Sequence, residues 1–128
     1  MHNIHDSEEN YLEAIVVLER EVGVVRSIDV ANHLDLSRAS VSNAMKKLEQ
    51  EGHVTMQEDG SLTLSTSGRA IGEEIDLRHR TLKDWFLHVG VSPEVAEDDA
   101  CKVEHAISAE TFTCLRAYFD NNIRESKK

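Results

Sequence analysis

Two short amphipathic segments joined by a tight turn constrain the fold more than any other feature of this sequence. In residues 27–54, SIDVANHLDLSRASVSNAMKKLEQEGHV, apolar residues recur twice at helical spacing, and the stretch LDLS interrupts them. Ser27 and Ser37 are expected to cap the two helices at their N-termini, and Gly52 is expected to end the second helix. Short helices in this arrangement, with Ser, Asn, Arg and Lys along the second, indicate a helix-turn-helix.

A β-hairpin is predicted directly after the second helix. In residues 53–65, HVTMQEDGSLTLS, apolar and polar residues alternate on both sides of Asp59-Gly60, a dipeptide that favours a tight hairpin turn. A hairpin at this place is the wing of a winged helix-turn-helix. The expected fold class is therefore mainly α, with an N-terminal winged helix-turn-helix followed by an all-helical dimerisation domain.

Further helices are expected on both sides of this motif. The first is SEENYLEAIVVLEREVG, residues 7–23, with Ser7 as its N-cap and Gly23 as its end. The helices after the wing are expected to start at Ser65 or Thr66, after Ser92, and at Ser108.

On this interpretation, residues 1–70 form the winged helix-turn-helix domain and residues 71–128 form the helical domain. The second domain is too small to bury its apolar stripes alone. Its aromatic residues are expected to meet a second copy of the chain, and a two-fold homodimer is predicted. These residues are Trp85, Phe86, Phe112, Tyr118 and Phe119.

Charge is distributed unevenly along the chain, whose formal net charge is −10. That total alone argues against nucleic acid, because a DNA-binding surface must offset phosphate charge. Residues 23–70, however, carry five basic against six acidic groups and are the least acidic part. The polar, acidic start does not fit a signal peptide, and no run of eighteen apolar residues occurs. A cytoplasmic location without membrane insertion is expected.

The second helix of the pair is expected to read double-stranded DNA. Its Ser and Asn side chains offer hydrogen-bond donors and acceptors to base edges and phosphates, and its cations suit phosphate. The residues predicted to face DNA are Ser37, Arg38, Ala39, Ser40, Ser42, Asn43, Lys46 and Lys47, with Arg26 and Ser27 as a phosphate clamp. Such residues also suit the solvent face of any surface helix, but the wing and the local charge favour DNA. In a homodimer, two such helices would read an inverted repeat.

A second constellation lies in ACKVEHAIS, residues 100–108. Cys101, Glu104 and His105 occupy positions i, i+3 and i+4, which share one face of a helix. A thiolate, a carboxylate and an imidazole together suit a first-row transition metal, and other parts of the chain would complete the site. The candidates for those ligands are Glu9, Asn10, Glu13, His79 and Glu97. Two other interpretations stay open: three unrelated helix residues, and an enzyme with Cys101 as nucleophile and His105 as base.

The whole chain resembles the metal-dependent repressors of the diphtheria toxin repressor and manganese transport regulator type. The resemblance rests on the segments YLEAI, IDVANHLDLSRASVSNAMKKLEQEGHV, LTLSTSGR, LRHRTL and DDACKVEH. Members of this family are cytoplasmic homodimers that bind operator DNA when loaded with iron(II) or manganese(II), and they repress metal-uptake genes. The resemblance implies a metal-dependent transcriptional repressor that is not an enzyme, with Fe2+ or Mn2+ as cofactor and Zn2+, Co2+ or Ni2+ as substitutes in vitro.

The resemblance also implies particular metal ligands. Cys101, Glu104 and His105 match the primary ligand positions, and a cysteine at the first of them is typical of the iron branch. Asn10 stands where the iron branch has methionine and the manganese branch has aspartate, which leaves the identity of the metal open. Glu13 and His79 match further ligand positions of the family.

Two departures from the family pattern affect the second metal site. Lys83 stands where the iron branch has glutamate, and Glu97 stands where it has histidine. An ammonium group one turn from His79 repels a cation. One hypothesis is that Lys83 pairs with Glu97 and replaces the second metal. The other is that Glu97 and His79 hold a metal while Lys83 turns away. The third domain of longer members is not expected, because 128 residues leave no room for it.

The expected mechanism places metal ligands on both halves of the chain. Without metal, neighbouring carboxylates repel each other and displace the first helix. A bound cation removes this repulsion and sets the distance between the two recognition helices of the dimer. An alternative with the same fold is a winged-helix regulator that metal does not control, which would bind DNA equally well with and without a chelator.

Overall fold

The structure is a computed structural model that describes residues 6–126, so the first residues of the polar start and residues 127–128 lie outside it. The described residues form α1 (Asp6–Val22), β1 (Val25–Arg26), α2 (Ser27–Leu34), α3 (Arg38–Gln50), β2 (Val54–Met56), β3 (Ser61–Leu64), α4 (Thr66–His88), α5 (Pro93–Ala106) and α6 (Ala109–Ser126). The predicted class, a mainly α protein with a winged helix-turn-helix, is confirmed. Within residues 6–126, no helix combines the length and the apolar character that crossing a membrane requires.

Two compact units share α4. The first unit ends at Asp76 and the second begins at Leu77, so α4 starts in one unit and finishes in the other. The domain boundary predicted after residue 70 falls inside the same helix.

The first unit packs its three leading helices around one apolar core. Leu12 and Ile15 of α1, Val30 of α2, and Val41 and Leu48 of α3 have no exposed surface. Val25, Val54 and Leu62 of the strands belong to the same cluster. Each fully buried side chain of this size contributes about 1.5–3 kcal/mol by leaving water. The core therefore fixes α3, the predicted DNA-reading helix, to the wing and to α1.

The wing contains one strand more than predicted. β2 and β3 form the expected antiparallel hairpin, and its turn uses Gly60 at a φ of 86°, a conformation that glycine adopts easily. β1 adds to the far side of β3, with Val25 opposite Leu62, which gives the order β1-β3-β2. A strand of two residues shows no alternation in the sequence, and none was predicted there.

The helix starts agree with the predicted caps in part. Ser37 Oγ accepts a hydrogen bond of 3.1 Å from the backbone N–H three residues further on, as predicted for the start of α3. The predicted caps Ser7 and Ser27 are wrong, because both residues lie inside their helices. At α2 the capping residue is Arg26, whose backbone N–H donates to Asp29 Oδ2 at 2.9 Å.

The second unit packs around aromatic side chains. Trp85 of α4 and Phe112 of α6 are 6% and 3% exposed, and their ring centroids lie 5.8 Å apart. These two rings find their partners inside the protomer, so the expectation that they need a second copy is wrong. Tyr118 stays 62% exposed. Cys114 is exposed.

Candidate metal centre and nucleic-acid interface

A buried carboxylate lies at the centre of the candidate metal site. α5 buries one stripe, formed by Ala96, Ala100 and Glu104 at successive turns of the helix. Glu104 has 0% exposure, although its side chain is polar and ionisable. A carboxylate at this depth is costly unless cations or hydrogen-bond donors surround it. Its surroundings therefore decide what the site can bind.

His79 of α4 connects the functional groups of α5. Its Nδ1 lies 3.1 Å from Glu104 Oε2, and its Nε2 contacts Glu97 Oε2. Cys101 Sγ lies 3.7 Å from His79 Nδ1 and 4.0 Å from Glu97 Oε2. One ligand atom each from His79, Glu97 and Cys101 lies within 4.8 Å of the others. Two helices thus place an imidazole, a thiol and two carboxylates together.

The second oxygen of Glu104 is not satisfied by hydrogen bonds. Oε1 is buried, and no residue in the described part of the chain forms a hydrogen bond with it. His105 Nε2 lies 3.5 Å from Oε1. A buried carboxylate oxygen without a hydrogen bond is uncommon in proteins, and a bound cation is one of the groups that would satisfy it.

The donor set fits a divalent first-row transition metal. Imidazole nitrogen and thiolate sulfur are ligands for iron, cobalt, nickel and zinc, and carboxylate oxygen suits manganese as well. His79, Glu97, Cys101, Glu104 and His105 supply these atom types from α4 and α5 of the second unit. Two anionic carboxylates and one thiol able to ionise would balance the charge of such an ion.

Lys83 takes part in the same cluster. Its Nζ lies 3.5 Å from Glu97 Oε1, while the other oxygen of this carboxylate contacts His79. Glu97 therefore contacts both the ammonium and the imidazole, which is the contact that the ion-pair hypothesis requires. The rival hypothesis needs Lys83 to leave Glu97, and the side chain is 36% exposed, so water can receive it.

Arg78 orients the end of α5 and was missed by sequence reasoning. Its guanidinium is buried and donates from Nη1 to the backbone oxygens of Glu104, at 3.2 Å, and Ile107, at 2.9 Å. It also lies 5.7 Å from the centroid of the Phe112 ring. The last carbonyls of a helix lack partners inside the helix, and a cation suits that end. Arg78 thus fixes the turn that presents Glu104 and His105.

The remaining candidate ligands, Glu9, Asn10 and Glu13, lie on α1 in the first unit; Glu9 is buried, and Asn10 and Glu13 are partly buried. The last two are three residues apart and so share a face of the helix. Asn10 and Glu13 thus lie near each other on α1. The cluster of His79, Glu97, Cys101 and Glu104 is formed by residues of the second unit alone.

The predicted DNA-facing residues lie mainly at the surface. Arg38, Ala39, Ser40, Asn43, Lys46 and Lys47 of α3 are exposed, as is the capping residue Ser37, and Ser42 is half-buried. The opposite side of α3 is in the core, so its polar face is free to point away from the first unit. This separation is what a helix that reads a DNA groove needs.

A shallow groove lies between the start of α2, α3 and the wing. Arg26, Ser27, Arg38 and Ser42 line it, with Met56 and Gly60 of the wing. Arg26 is exposed and lies 3.9 Å from Asp59 Oδ2 at the wing turn. Hydrogen bonds from the Ser61 hydroxyl and then from its backbone N–H lower the pKa of Asp59. The groove thus has two cations and one ionised carboxylate at its edge, a charge arrangement that suits a phosphate near Arg38.

Lys47 differs from the other cations of α3, because Glu8 of α1 holds it at 2.7 Å. The sequence predicted that Lys47 faces DNA, and it did not predict this pairing. Nothing in the local sequence shows that Glu8 is buried, since the burial comes from packing between α1 and α3.

The winged helix and the cluster of His, Cys and carboxylate side chains are the features expected of a DNA-binding regulator with a candidate cation site. Comparison with known proteins agrees. Residues 3–62 match the iron dependent repressor N-terminal DNA binding domain, and residues 65–125 match the iron dependent repressor metal binding and dimerisation domain. The chain is 34% identical over 110 residues to the transcriptional regulator MntR of Escherichia coli O6:H1, which covers 86% of this chain and 71% of the relative.

Two solved structures show the same fold. One is IdeR of T. acidophilum, with a TM-score of 0.77 and 23% identity over 94% of this chain and 56% of that chain. The other is a manganese-dependent transcriptional repressor in complex with manganese, with a TM-score of 0.74 and 25% identity over 87% of this chain and 51% of that chain. The chain spans roughly half the length of these two solved chains.

The chain therefore belongs to the iron-dependent repressor family, the family of metal-dependent transcriptional regulators that includes the MntR proteins. The predicted function class, DNA-binding regulation that responds to a metal, is confirmed at this level, and so is the predicted cofactor class of Fe2+ or Mn2+. The family binds DNA through its N-terminal domain and dimerises through its C-terminal one.

Proposed function

We propose that this chain is a cytoplasmic repressor of metal-homeostasis genes that binds an inverted-repeat operator as a homodimer when it is loaded with Fe2+ or Mn2+. The observation that carries the proposal is the cluster of His79, Glu97, Cys101 and Glu104 on α4 and α5 of a chain whose first unit is a winged helix. A DNA-binding protein with such a cluster has both a reading surface and a site whose occupancy can change.

The proposed ligands divide into two groups. Cys101, Glu104, His105 and His79 hold the metal, and the buried Oε1 of Glu104 gains the partner that it lacks among the described residues. Asn10 and Glu13 of α1 are proposed as additional ligands on the strength of the family resemblance. When bound, the metal supplies positive charge and a preference for particular ligand positions. Residues of α1 and α5 that bind the same ion would then favour one geometry of the dimer.

Regulation by this route requires the metal to bind the DNA-competent geometry better than the other geometry. A shift from mostly inactive to mostly active needs a difference in affinity of about 10⁴-fold, or about 5.5 kcal/mol. The mutual repulsion expected among the acidic residues is smaller than the sequence implied, because Glu8 and Glu97 contact Lys47 and Lys83. The ligand bonds themselves, rather than the relief of repulsion, would then supply most of this difference.

DNA binding in the presence of different metals tests the proposal. A duplex is first selected from a random library by the metal-loaded protein. Its mobility shift is then measured under anaerobic conditions with iron, manganese, cobalt, nickel and zinc in turn, and with a chelator. We expect binding with iron or manganese and little binding with the chelator. Equal binding with and without chelator would favour the alternative, a winged-helix regulator that metal does not control.

The two cysteines provide a matched pair of variants for the site assignment. Cys101→Ala removes a proposed ligand, and Cys114→Ala removes an exposed thiol of the same unit that lies on α6. We expect Cys101→Ala and His105→Ala to abolish metal-stimulated DNA binding while the dimer stays folded, and Cys114→Ala to bind as the unaltered chain does. Retention of the metal response by both Cys101→Ala and His105→Ala would refute the assignment.

Metal stoichiometry decides between the two hypotheses for Lys83. We propose that Lys83 stays paired with Glu97, so that the chain binds a single metal ion. Calorimetric titration with Mn2+ should then give one ion per chain, and Lys83→Ala should alter the titration, whereas Lys102→Ala on the exposed side of α5 should not. Two ions per unaltered chain would show that Lys83 turns away and that Glu97 acts as a ligand.

A further inference from the structure

Lys47, on the outer face of α3, is held by a carboxylate of α1. Its Nζ lies 2.7 Å from Glu8 Oε1, a distance typical of a hydrogen bond between charged groups. The two side chains differ in exposure, because Glu8 is 6% exposed and Lys47 is 55% exposed. The pair therefore joins a buried anion to a cation on the surface that carries the predicted DNA contacts.

Glu8 depends on this contact more than Lys47 does. Both carboxylate oxygens of Glu8 are buried and lack a well-aligned hydrogen bond within residues 6–126, so the close ion pair with Lys47 is what offsets its charge. Taking the partner away from a buried charge is strongly unfavourable, since the charge that remains is neither solvated nor paired. An exposed ammonium, in contrast, can return to water. Holding Lys47 is thus the lower-energy state of the free protein.

The contact favours the charged form of Lys47. The side-chain contact with Glu8 has the largest effect and raises the pKa of Lys47; burial opposes it, and the charges of Glu8 and Glu51 raise the pKa further. Lys46, the preceding residue, is exposed on the same helix. Both lysines are exposed on α3, but Lys47 is paired with the buried carboxylate of Glu8. This pairing is the difference that matters for DNA binding.

We propose that Glu8 competes with DNA phosphate for Lys47, so that the free chain withholds one cation of its recognition helix from DNA. This inference rests on the DNA binding proposed above. If Lys47 moves to a phosphate, Glu8 is left buried without its partner, and that cost cancels much of the gain from the new contact. Lys46 has no such cost and is expected to bind phosphate in the ordinary way.

The competition also connects DNA binding to the start of α1. Glu8 lies two residues before the proposed ligand Asn10. A change that moves Glu8 away from Lys47 would make this cation available to DNA. Conversely, DNA that binds Lys47 would loosen the start of α1. The coupling free energy is the same in both directions, because coupling between two equilibria is reciprocal.

The salt dependence of DNA binding measures how many cations contact phosphate. Each such contact contributes about 0.9 to the slope of log K against log salt concentration. Between about 50 and 200 mM salt, one contact changes the affinity by a further factor of about 3.5. A cation that stays with Glu8 contributes nothing to this slope.

Six proteins test the proposal by fluorescence anisotropy with one labelled duplex in the presence of metal. They are the unaltered chain, Glu8→Gln, and the variants Lys47→Met and Lys46→Met, each made alone and together with Glu8→Gln. In the unaltered background, Lys47→Met should leave the salt slope unchanged. With Glu8→Gln it should lower the slope by about 0.9. Lys46→Met should lower the slope by about the same amount in both backgrounds. Glu8→Gln alone should bind DNA more tightly than the unaltered chain.

Each outcome supports or refutes the competition between Glu8 and DNA phosphate for Lys47. Equal slope losses for Lys47→Met in the two backgrounds would overturn the inference and leave the proposed function intact. Failure of the unaltered protein to bind DNA at any salt concentration would overturn both. Circular dichroism checks the fold of every variant. If Glu8→Gln does not fold, Lys46→Met and Lys47→Met in the unaltered background still decide, because equal slope losses there would also refute the competition.

Discussion

Replacing Arg78 by methionine should destabilise the second unit and, through it, the metal site. The guanidinium is 5% exposed and donates to two backbone oxygens at the end of α5, those of Glu104 and Ile107. Methionine keeps most of the apolar stem but has no donor. The variant therefore removes at least these two hydrogen bonds with little change in packing volume, and it takes the guanidinium away from both carbonyls.

The expected loss follows from these contacts. A hydrogen bond that involves a charged group contributes about 1.5–3 kcal/mol, so these two bonds together contribute about 3–6 kcal/mol. The carbonyl of Ile107 is only partly buried, so water can replace the guanidinium there. The contact of Arg78 with the Phe112 ring adds about 0.5–2 kcal/mol. We expect a net loss of about 3 kcal/mol in the free energy of unfolding.

Trp85 provides the assay, because it is the single tryptophan of the chain and lies in the core of the second unit. Urea unfolding followed by its fluorescence, at one protein concentration, should show the Arg78→Met midpoint lowered by at least about 1 M for a typical urea dependence. The control is Arg116→Met, which removes an exposed pair with Asp120 at 3.8 Å and should cost less than about 1 kcal/mol. Equal midpoints for Arg78→Met and Arg116→Met would refute the role given to Arg78.

Three further predictions concern the first unit. Gly68→Ala would place a Cβ 2.0 Å from the backbone oxygen of His53. Replacing glycine by alanine in a helix usually stabilises it by about 1 kcal/mol, but here the clash should outweigh that gain and lower the urea midpoint. An unchanged midpoint would contradict this close approach. The Asp59 carboxyl should titrate below 3.8 in an NMR pH series. Its stabilising effect is then present above pH 3.8 and is lost as the pH falls through the lowered pKa of the folded protein. Ser61→Ala should return the pKa of Asp59 toward 3.8. Ser37→Ala removes the cap of α3 and should cost about 1 kcal/mol, which thermal unfolding would detect.

The elements of the DNA-binding unit were predictable because they depend on local chemistry. The cap at Ser37 and the turn at Gly60 each follow from what one residue does to its own backbone. The helix-turn-helix and the wing were therefore found from apolar spacing together with cap and turn residues. The strand β1 was not found, since two residues carry no pattern and their pairing with β3 is set by the chain that follows much later.

The metal cluster was predictable in composition but not in its partners. Cys101 and His105 were singled out by their spacing on a helix. His79 and Glu97 were among the candidates for the remaining ligands; the family resemblance matched His79 to a ligand position and marked Glu97 as a departure. The contact of Glu97 with both Lys83 and His79 depends on how α4 and α5 pack, which no local pattern encodes. The burial of Glu104 did leave a sequence signal, because it continues the stripe of Ala96 and Ala100 along α5. An acidic residue that continues a stripe of small apolar residues indicates that its carboxylate has a partner on another element.

That buried acid gives a last prediction, in which stability and metal response change in opposite directions. Glu104 is fully buried, and its Oε1 has no hydrogen-bond partner in the described chain. Glu104→Gln keeps the shape and removes the charge, so the metal-free protein should be as stable as the unaltered chain or more stable by about 1–3 kcal/mol, the cost of an unsatisfied buried group. The unaltered chain should gain about 2.7 kcal/mol at a Mn2+ concentration of 100 times the dissociation constant, and the variant should lose this gain. Thermal unfolding with and without Mn2+ measures both effects. A metal-induced rise in the variant equal to that of the unaltered chain would show that Glu104 is buried for a structural reason and does not bind the ion.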